Sequence, residues 1–223
     1  MSEPRRAAVV CEGHTDVPVF REIIQELWPS VLEVDCLQPE LDETEKATGR
    51  TGWSEVKAWC EQHAEDLEEV LNPYVGAPFD LLLIAIDVDI AIAAQIADPP
   101  QSIGSYESTR LRDTMRSWLQ TEKRRRVPEL VVFSTPVMAI EAWIVAALFP
   151  RRTAPESIAS PATELVKKNK LRLSPNDGKP WKELYRYKQF SKNVADALKR
   201  VRDKCPEAGR TCGEIERVRD AAE

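Results

Sequence analysis

The segment Asp80–Ile86 (DLLLIAI) constrains the fold more than any other stretch of this chain. It is apolar at successive positions rather than alternate ones, so both of its faces must be covered. Strands of that kind lie in the middle of parallel sheets sandwiched between helices. The run stops on Asp87 and Asp89 (DVD), and an earlier apolar run, Arg6–Cys11 (RAAVVC), stops on Glu12 and Gly13. Burying a carboxylate without a partner is costly, so acids at the mouths of two core strands need a task.

The rest of the first 150 residues alternates between the two periods. Asp16–Trp28 has helical spacing through Val19, Phe20, Ile23, Ile24 and Leu27, with Thr15 or Asp16 to cap it and Pro18 in the first turn. Val31–Leu37 predicts a second strand, Gln38–Gly52 a mobile polar loop, and Trp53–Leu71 one further helix. Beyond the central strand, Ala93–Ser105 carries Pro99, Pro100 and Gly104 and predicts a loop or broken helix. Tyr106–Glu122 is helical in spacing, Glu129–Ser134 (ELVVFS) is a fourth strand, and Val137–Phe149 a helix after Pro136. Alternating strands and helices imply an α/β domain with a mainly parallel four-stranded sheet flanked by helices, over residues 1–150. After Pro150, prolines punctuate short basic helices with no further buried strand, which predicts a C-terminal helical appendage over 151–223.

Charge divides the chain at the same place. Residues 151–223 hold 18 Lys and Arg against 11 Asp and Glu, whereas the first 150 hold 13 against 26. A basic segment joined to an acidic body can bring phosphate backbones to a site whose own acids hold cations; a solvated basic helix surface is the plainer reading. Lys167, Lys168 and Lys170, then Lys179 and Lys182 around Trp181, then Arg186 and Lys188 among Tyr185 and Tyr187, interleave cations with aromatics. Such mixing suits single-stranded nucleic acid, and helical packing accounts equally well for the aromatic residues. The run EKRRR (Glu122–Arg126) fits either a helix C-terminus or a phosphate contact.

Five cysteines form no CxxC pair, and only His14 and His63 are available to join them, so neither a zinc site nor Cys or His catalysis is indicated. No apolar run reaches the roughly 20 residues of a membrane helix, and the N-terminus lacks the apolar core of a signal peptide. The expectation is a cytoplasmic protein, not bound to membrane, with chemistry run by carboxylates.

Ligands of an open parallel sheet bind beyond the C-terminal ends of its strands. If the strands ending at Glu12 and Asp87 lie near each other, Glu12, Asp87 and Asp89 meet at one edge. In extended geometry Asp87 and Asp89 point the same way, and Gly13 permits a tight turn and close approach of a ligand. Crowded carboxylates repel unless a cation neutralises them. Mg²⁺ or Mn²⁺ held there could activate water and stabilise a leaving oxygen in phosphodiester cleavage.

An EG pair at the end of a first strand, followed by DxD after an apolar strand, resembles the topoisomerase–primase (TOPRIM) domain. CEGHTD is similar to the EGxT(D/E) of OLD-type nucleases and related small stand-alone TOPRIM proteins, many found in bacterial anti-phage loci. The resemblance covers roughly residues 6–150. It implies Glu12, Asp87 and Asp89 as catalytic residues, with Asp16 as a further acid of the metal shell. STPVMAIEAWIVAAL (Ser134–Leu148) resembles the segment after the fourth strand in these proteins and adds Glu141 as a metal ligand, alongside Trp143. An ion pair between Glu141 and a lysine or arginine of the tail is the alternative. The implied function is a metal-dependent nuclease acting on DNA or RNA in anti-phage defence, with a separate ATPase subunit, since the chain has no GxxxxGK[ST] loop. Two alternatives stand beside it. One is a non-catalytic TOPRIM-like binding or sensor subunit of an ATPase complex. The other is a HAD-type phosphatase, although there the DxD belongs to the first strand of its domain.

Overall fold

A computed structural model describes residues 4–89 and 105–223. The loop or broken helix predicted over 93–105 falls almost wholly outside the described residues. Four strands, β1 (Arg5–Val10), β2 (Val31–Gln38), β3 (Leu81–Ala85) and β4 (Val131–Ser134), form one sheet in the order β2-β1-β3-β4. Every pairing is parallel, with Ala7 opposite Leu81 and Leu82 opposite Val131. β3 is buried along its whole length, as its unbroken apolar run requires.

Alternate residues feed two cores. Ala7, Val9, Leu81, Leu83 and Ala85 face one side, where α1 (Val17–Leu27) and α5 (Glu141–Leu148) pack. Ala8, Val10, Leu82, Ile84 and Ile86 face the other, against α2 (Trp53–Gln62), α3 (Leu67–Leu71) and α4 (Ser105–Trp118). The segment after Pro150 adds α6 (Pro161–Lys167), α7 (Leu184–Asp196), α8 (Leu198–Lys204) and α9 (Pro206–Ala222), and a small antiparallel pair, β5 (Arg172–Leu173) with β6 (Pro180–Trp181). Tyr187, Phe190, Val194, Val201 and Ile215 lie in the same core as Phe20, Trp143 and Leu83. The basic helices thus bury an apolar face against the sheet domain, and Arg200, Arg210 and Arg219 donate to its Ala147, Phe133 and Leu27 carbonyl oxygens. Among the described residues, no helix is long and apolar enough to cross a membrane.

Three elements differ from their sequence expectation for local reasons. The helix expected over Trp53–Leu71 is two helices, because the chain turns at His63–Asp66, where Asp66 Oδ1 lies 3.0 Å from His63 Nδ1. The helix expected from Val137 starts only at Glu141, because Met138 sits at φ +66°. Its preceding turn is held to the end of β3 instead, through the Val88 N–H on the Pro136 carbonyl oxygen at 2.9 Å. The polar loop 38–52 is tied down rather than loose. Asp42 Oδ1 accepts the N–H groups of Thr44 and Lys46 at 2.7 and 3.0 Å, and Glu45 pairs with Arg21 at 3.2 Å and with Lys188.

Candidate functional site

Because β1 and β3 are neighbours, their C-terminal ends deliver acids to one spot. Glu12 lies two residues past the end of β1, and its Oε1 accepts the backbone N–H of Asp87 at 2.7 Å. Asp16, just before α1, is 6% exposed, and its Oδ2 accepts the Gly13 N–H at 3.1 Å. Asp87 Oδ1 accepts the Ile140 N–H at 3.2 Å, so this carboxylate caps the start of α5 from another element. Glu141, first residue of α5, is fully buried. Asp89 stands exposed on the turn after β3, while Asp87 is half-buried, and both lie past Ala85, where the strand ends. Its charge still reaches Glu12.

Gly13 is not required by its backbone, since an added Cβ would meet nothing closer than Asp16 Oδ2 at 3.5 Å. The strained turn is at Gly52, φ +104°, whose N–H donates to the Glu12 carbonyl oxygen at 2.8 Å and draws the 38–52 loop over the site.

The chain after Pro150 enters the cluster. Lys182 Nζ lies 2.8 Å from Glu141 Oε1, and the Tyr187 hydroxyl donates to the same oxygen at 2.5 Å. The tail cation expected as an alternative partner of Glu141 is therefore Lys182, a residue the sequence reading assigned to nucleic acid. Tyr187 is a buried member of this cluster rather than one of a row of exposed aromatic residues. Its only sequence signal is a place among alternating tyrosines and cations, and nothing there distinguishes a buried hydroxyl from an exposed one.

Electrostatics follow from burial and mutual charge. Burial pushes the Glu12 carboxyl up to about 8; the Asp87 N–H opposes this, and Asp16 and Asp89 add to it. Burial likewise pushes Asp16 up to about 6, against the pull of Lys182. Asp87 is held well above the carboxylate range by burial and by Glu12, Asp16 and Glu141. Glu141 goes the other way. Burial would raise it, but Lys182 and Tyr187 together keep it below its ordinary value. Lys182 is raised for the reciprocal reason, the three acids outweighing its own burial. His14 is lowered by burial, with Lys182 and Lys46 adding to the effect.

The donors suit a hard divalent cation. Two buried oxygens in the cluster, Asp16 Oδ1 and Glu141 Oε2, have no hydrogen-bond partner, and orphaned buried acceptors are rare in folded proteins. Among the described residues, no three acids form a ready-made cage. Mg²⁺ is ordinarily held by one or two carboxylates and keeps several waters, so a full protein cage is not what it needs. Glu12, Asp16, Asp87 and Glu141 are the residues that could hold it, with Lys182 supplying part of the positive charge.

Beside the cluster runs a groove of about 850 Å³, lined by residues of the 38–52 loop and by 181–188. Lys182 and Lys188 line it. Arg186 lies with its guanidinium carbon 5.1 Å from the Tyr185 ring centroid. Lys179 is exposed in the turn before β6, while Lys167, Lys168 and Lys170 are exposed at the end of α6 and are not part of the groove's lining.

Comparison with known proteins finds no matching family model, no matching curated protein and no matching solved structure.

Proposed function

We propose that the protein is a divalent-metal-dependent nuclease that hydrolyses phosphodiester bonds of DNA or RNA. The observation that carries this reading is the convergence of Glu12, Asp16, Asp87 and Glu141 at the ends of two adjacent central strands, with two of their buried oxygens unpartnered. Mg²⁺ or Mn²⁺ bound there would supply a polarised water and charge neutralisation at the phosphate.

The chain's own residues divide the remaining work. Glu12, whose carboxyl is pushed up to about 8, is placed to take a proton from an attacking water once it has lost its own. Asp87 is fixed by the Ile140 N–H, and Glu141 by Lys182 and Tyr187, so neither must reorganise when charge develops. Lys182 brings a cation to the place where a phosphate would approach. Asp89, on the exposed turn, adds negative charge at the rim. The resemblance to small TOPRIM proteins supports the same residues and extends the proposal to a cytoplasmic role in anti-phage defence, with a separate ATPase subunit.

Purified protein and Asp87→Ala incubated with supercoiled DNA and with total RNA, each in EDTA, Mg²⁺ or Mn²⁺, test the reading. The expected result is cleavage of one substrate that needs metal and vanishes in the variant. Cleavage that survives both EDTA and the substitution would refute it.

One observation favours a second reading. The Lys182–Glu141 ion pair already neutralises part of the cluster without any metal, as a non-catalytic binding or sensor subunit would require. In that case Mn²⁺ would neither bind nor support cleavage.

A further inference from the structure

We infer that the groove beside the carboxylate cluster binds single-stranded nucleic acid by stacking bases on Trp181 and Tyr185. This inference rests on the nuclease reading for its consequence, but its own evidence is the shape and chemistry of the groove.

Among the described residues most large apolar and aromatic side chains lie in the two cores, with Trp28, Trp143 and Tyr187 fully buried. Trp181 is 46% exposed and Tyr185 48% exposed, and both line one groove. They are four positions apart, Trp181 in β6 and Tyr185 in the first turn of α7. Neither belongs to either hydrophobic core, so packing does not account for them. Helical packing, the alternative reading for Trp181 and Tyr185, does not place either in a core, whereas the neighbouring Tyr187 is fully buried.

The surroundings are cationic. Three lysines, Lys46, Lys182 and Lys188, line the groove against one acid, Glu183. Arg172 stands opposite Trp181 across the β5–β6 pair, and the Arg186 guanidinium lies near the Tyr185 ring. Lys182 and Lys188 each already hold a glutamate, Glu141 and Glu45, so the charge here is moderate and favours a flexible backbone with bases to stack. A groove of about 850 Å³ is at the upper end of the ~300–1,000 Å³ of small-ligand clefts, which leaves room for more than one ring.

Strandedness follows from the same facts. Aromatic platforms capture bases only through their flat faces, and in a duplex those faces are covered by neighbouring pairs. A groove that recognised duplex would need cations spaced along two backbones, yet Lys167, Lys168 and Lys170 lie outside this lining. The structure therefore points to unpaired DNA or RNA, threaded past Trp181 and Tyr185 with its backbone toward the acids.

The test uses the full chain in EDTA, so that cleavage plays no part. Fluorescence anisotropy would be measured with labelled oligo-dT, labelled oligo-U and a blunt duplex of the same length. The expected result is that at least one single strand binds ten times more tightly than the duplex, the two single-stranded probes distinguishing DNA from RNA. The double variant Trp181→Ala, Tyr185→Ala should lose about tenfold or more, since each stacked base is sensitive to removal of its platform. Trp181→Phe, which keeps a ring, should lose much less, and thermal melts should match the wild type because both side chains lie outside the cores. Equal binding of duplex, no binding of any probe, or an unaffected double variant would overturn the inference. Single-strand binding without metal-dependent cleavage would leave this inference standing and remove the nuclease; cleavage with no such binding would do the reverse.

Discussion

The backbone N–H of Asp87 donates to Glu12 Oε1 at 2.7 Å, across 75 positions of sequence. That single bond joins the ends of β1 and β3, and it favours the ionised form of Glu12. Glu12 has its carboxyl at about 8 in the folded protein because burial and the neighbouring acids outweigh this bond.

A pH dependence of stability follows. A carboxyl whose folded value is raised holds its proton more tightly folded than unfolded. Its contribution is therefore favourable at low pH and is lost as pH rises from the unfolded value, near 4.5, through about 8. Each unit of that interval corresponds to about 1.4 kcal/mol, discounted here because Asp16 and Asp87 share the proton load. With about 2–4 °C of Tm per kcal/mol for a chain this size, metal-free protein should lose several degrees between pH 5.5 and 8. Glu12→Gln, which stays neutral, should lose clearly less. Melting curves in EDTA for both proteins check this, and parallel pH slopes would count against it.

Tyr187 supports the cluster from beneath. Its hydroxyl bonds the buried Glu141 carboxylate at 2.5 Å, and hydrogen bonds to charged groups contribute about 1.5–3 kcal/mol. Tyr187→Phe keeps the ring's packing and should cost an amount in that range in urea unfolding. A loss below about 0.5 kcal/mol would mean that the hydroxyl carries little of the load.

Lys182 competes with any cation that enters. Its ammonium sits 2.8 Å from Glu141 Oε1, and Asp16 and Asp87 add to its hold there. Lys182→Gln should therefore bind Mn²⁺ more tightly, by roughly tenfold if about 1.4 kcal/mol of repulsion is relieved. Isothermal titration of both proteins measures it. Weaker binding in the variant would show that Lys182 assists the cation rather than opposing it.

A second buried ion cluster holds the C-terminal helix against the sheet. Glu207, 4% exposed, bonds Arg112 of α4 at 2.6 Å and Arg210 at 2.8 Å, with Ser108 and Thr135 completing the network. Removing one member of such a group strands its partners' charge, at roughly 3–5 kcal/mol. Glu207→Ala should destabilise the protein by that order in urea unfolding, whereas Glu216→Ala, at an outer pair, should cost under about 1 kcal/mol.

The parts of this fold that were legible share a cause. β3 declared itself because six consecutive apolar positions, Leu81 to Ile86, could not face water, and the acids that follow β1 and β3 marked the ligand edge of a parallel sheet. What stayed hidden depends on contacts distant in sequence. Nothing local distinguishes Lys182, which reaches Glu141, from Lys179, which faces solvent. The basic content of residues 151–223 advertised a surface and concealed the apolar face of α7, which is spaced through Tyr187, Phe190 and Val194 and completes a core. The late start of α5 was equally hidden, because no local pattern announces the positive φ of Met138. The end of β3 at Ala85, ahead of both Asp87 and Asp89, is likewise not marked in the apolar run, which continues to Ile86.

The most direct measurement is a calorimetric titration of Mn²⁺ into wild-type protein and Asp87→Ala at pH 8, where Glu12 and Asp16 can give up their protons. Saturable binding in the wild type, lost or greatly weakened in the variant, is the predicted result. No binding to the wild type, or equal binding to both, would contradict the assignment of these carboxylates to a metal and leave Lys182 as the cluster's only cation among the described residues.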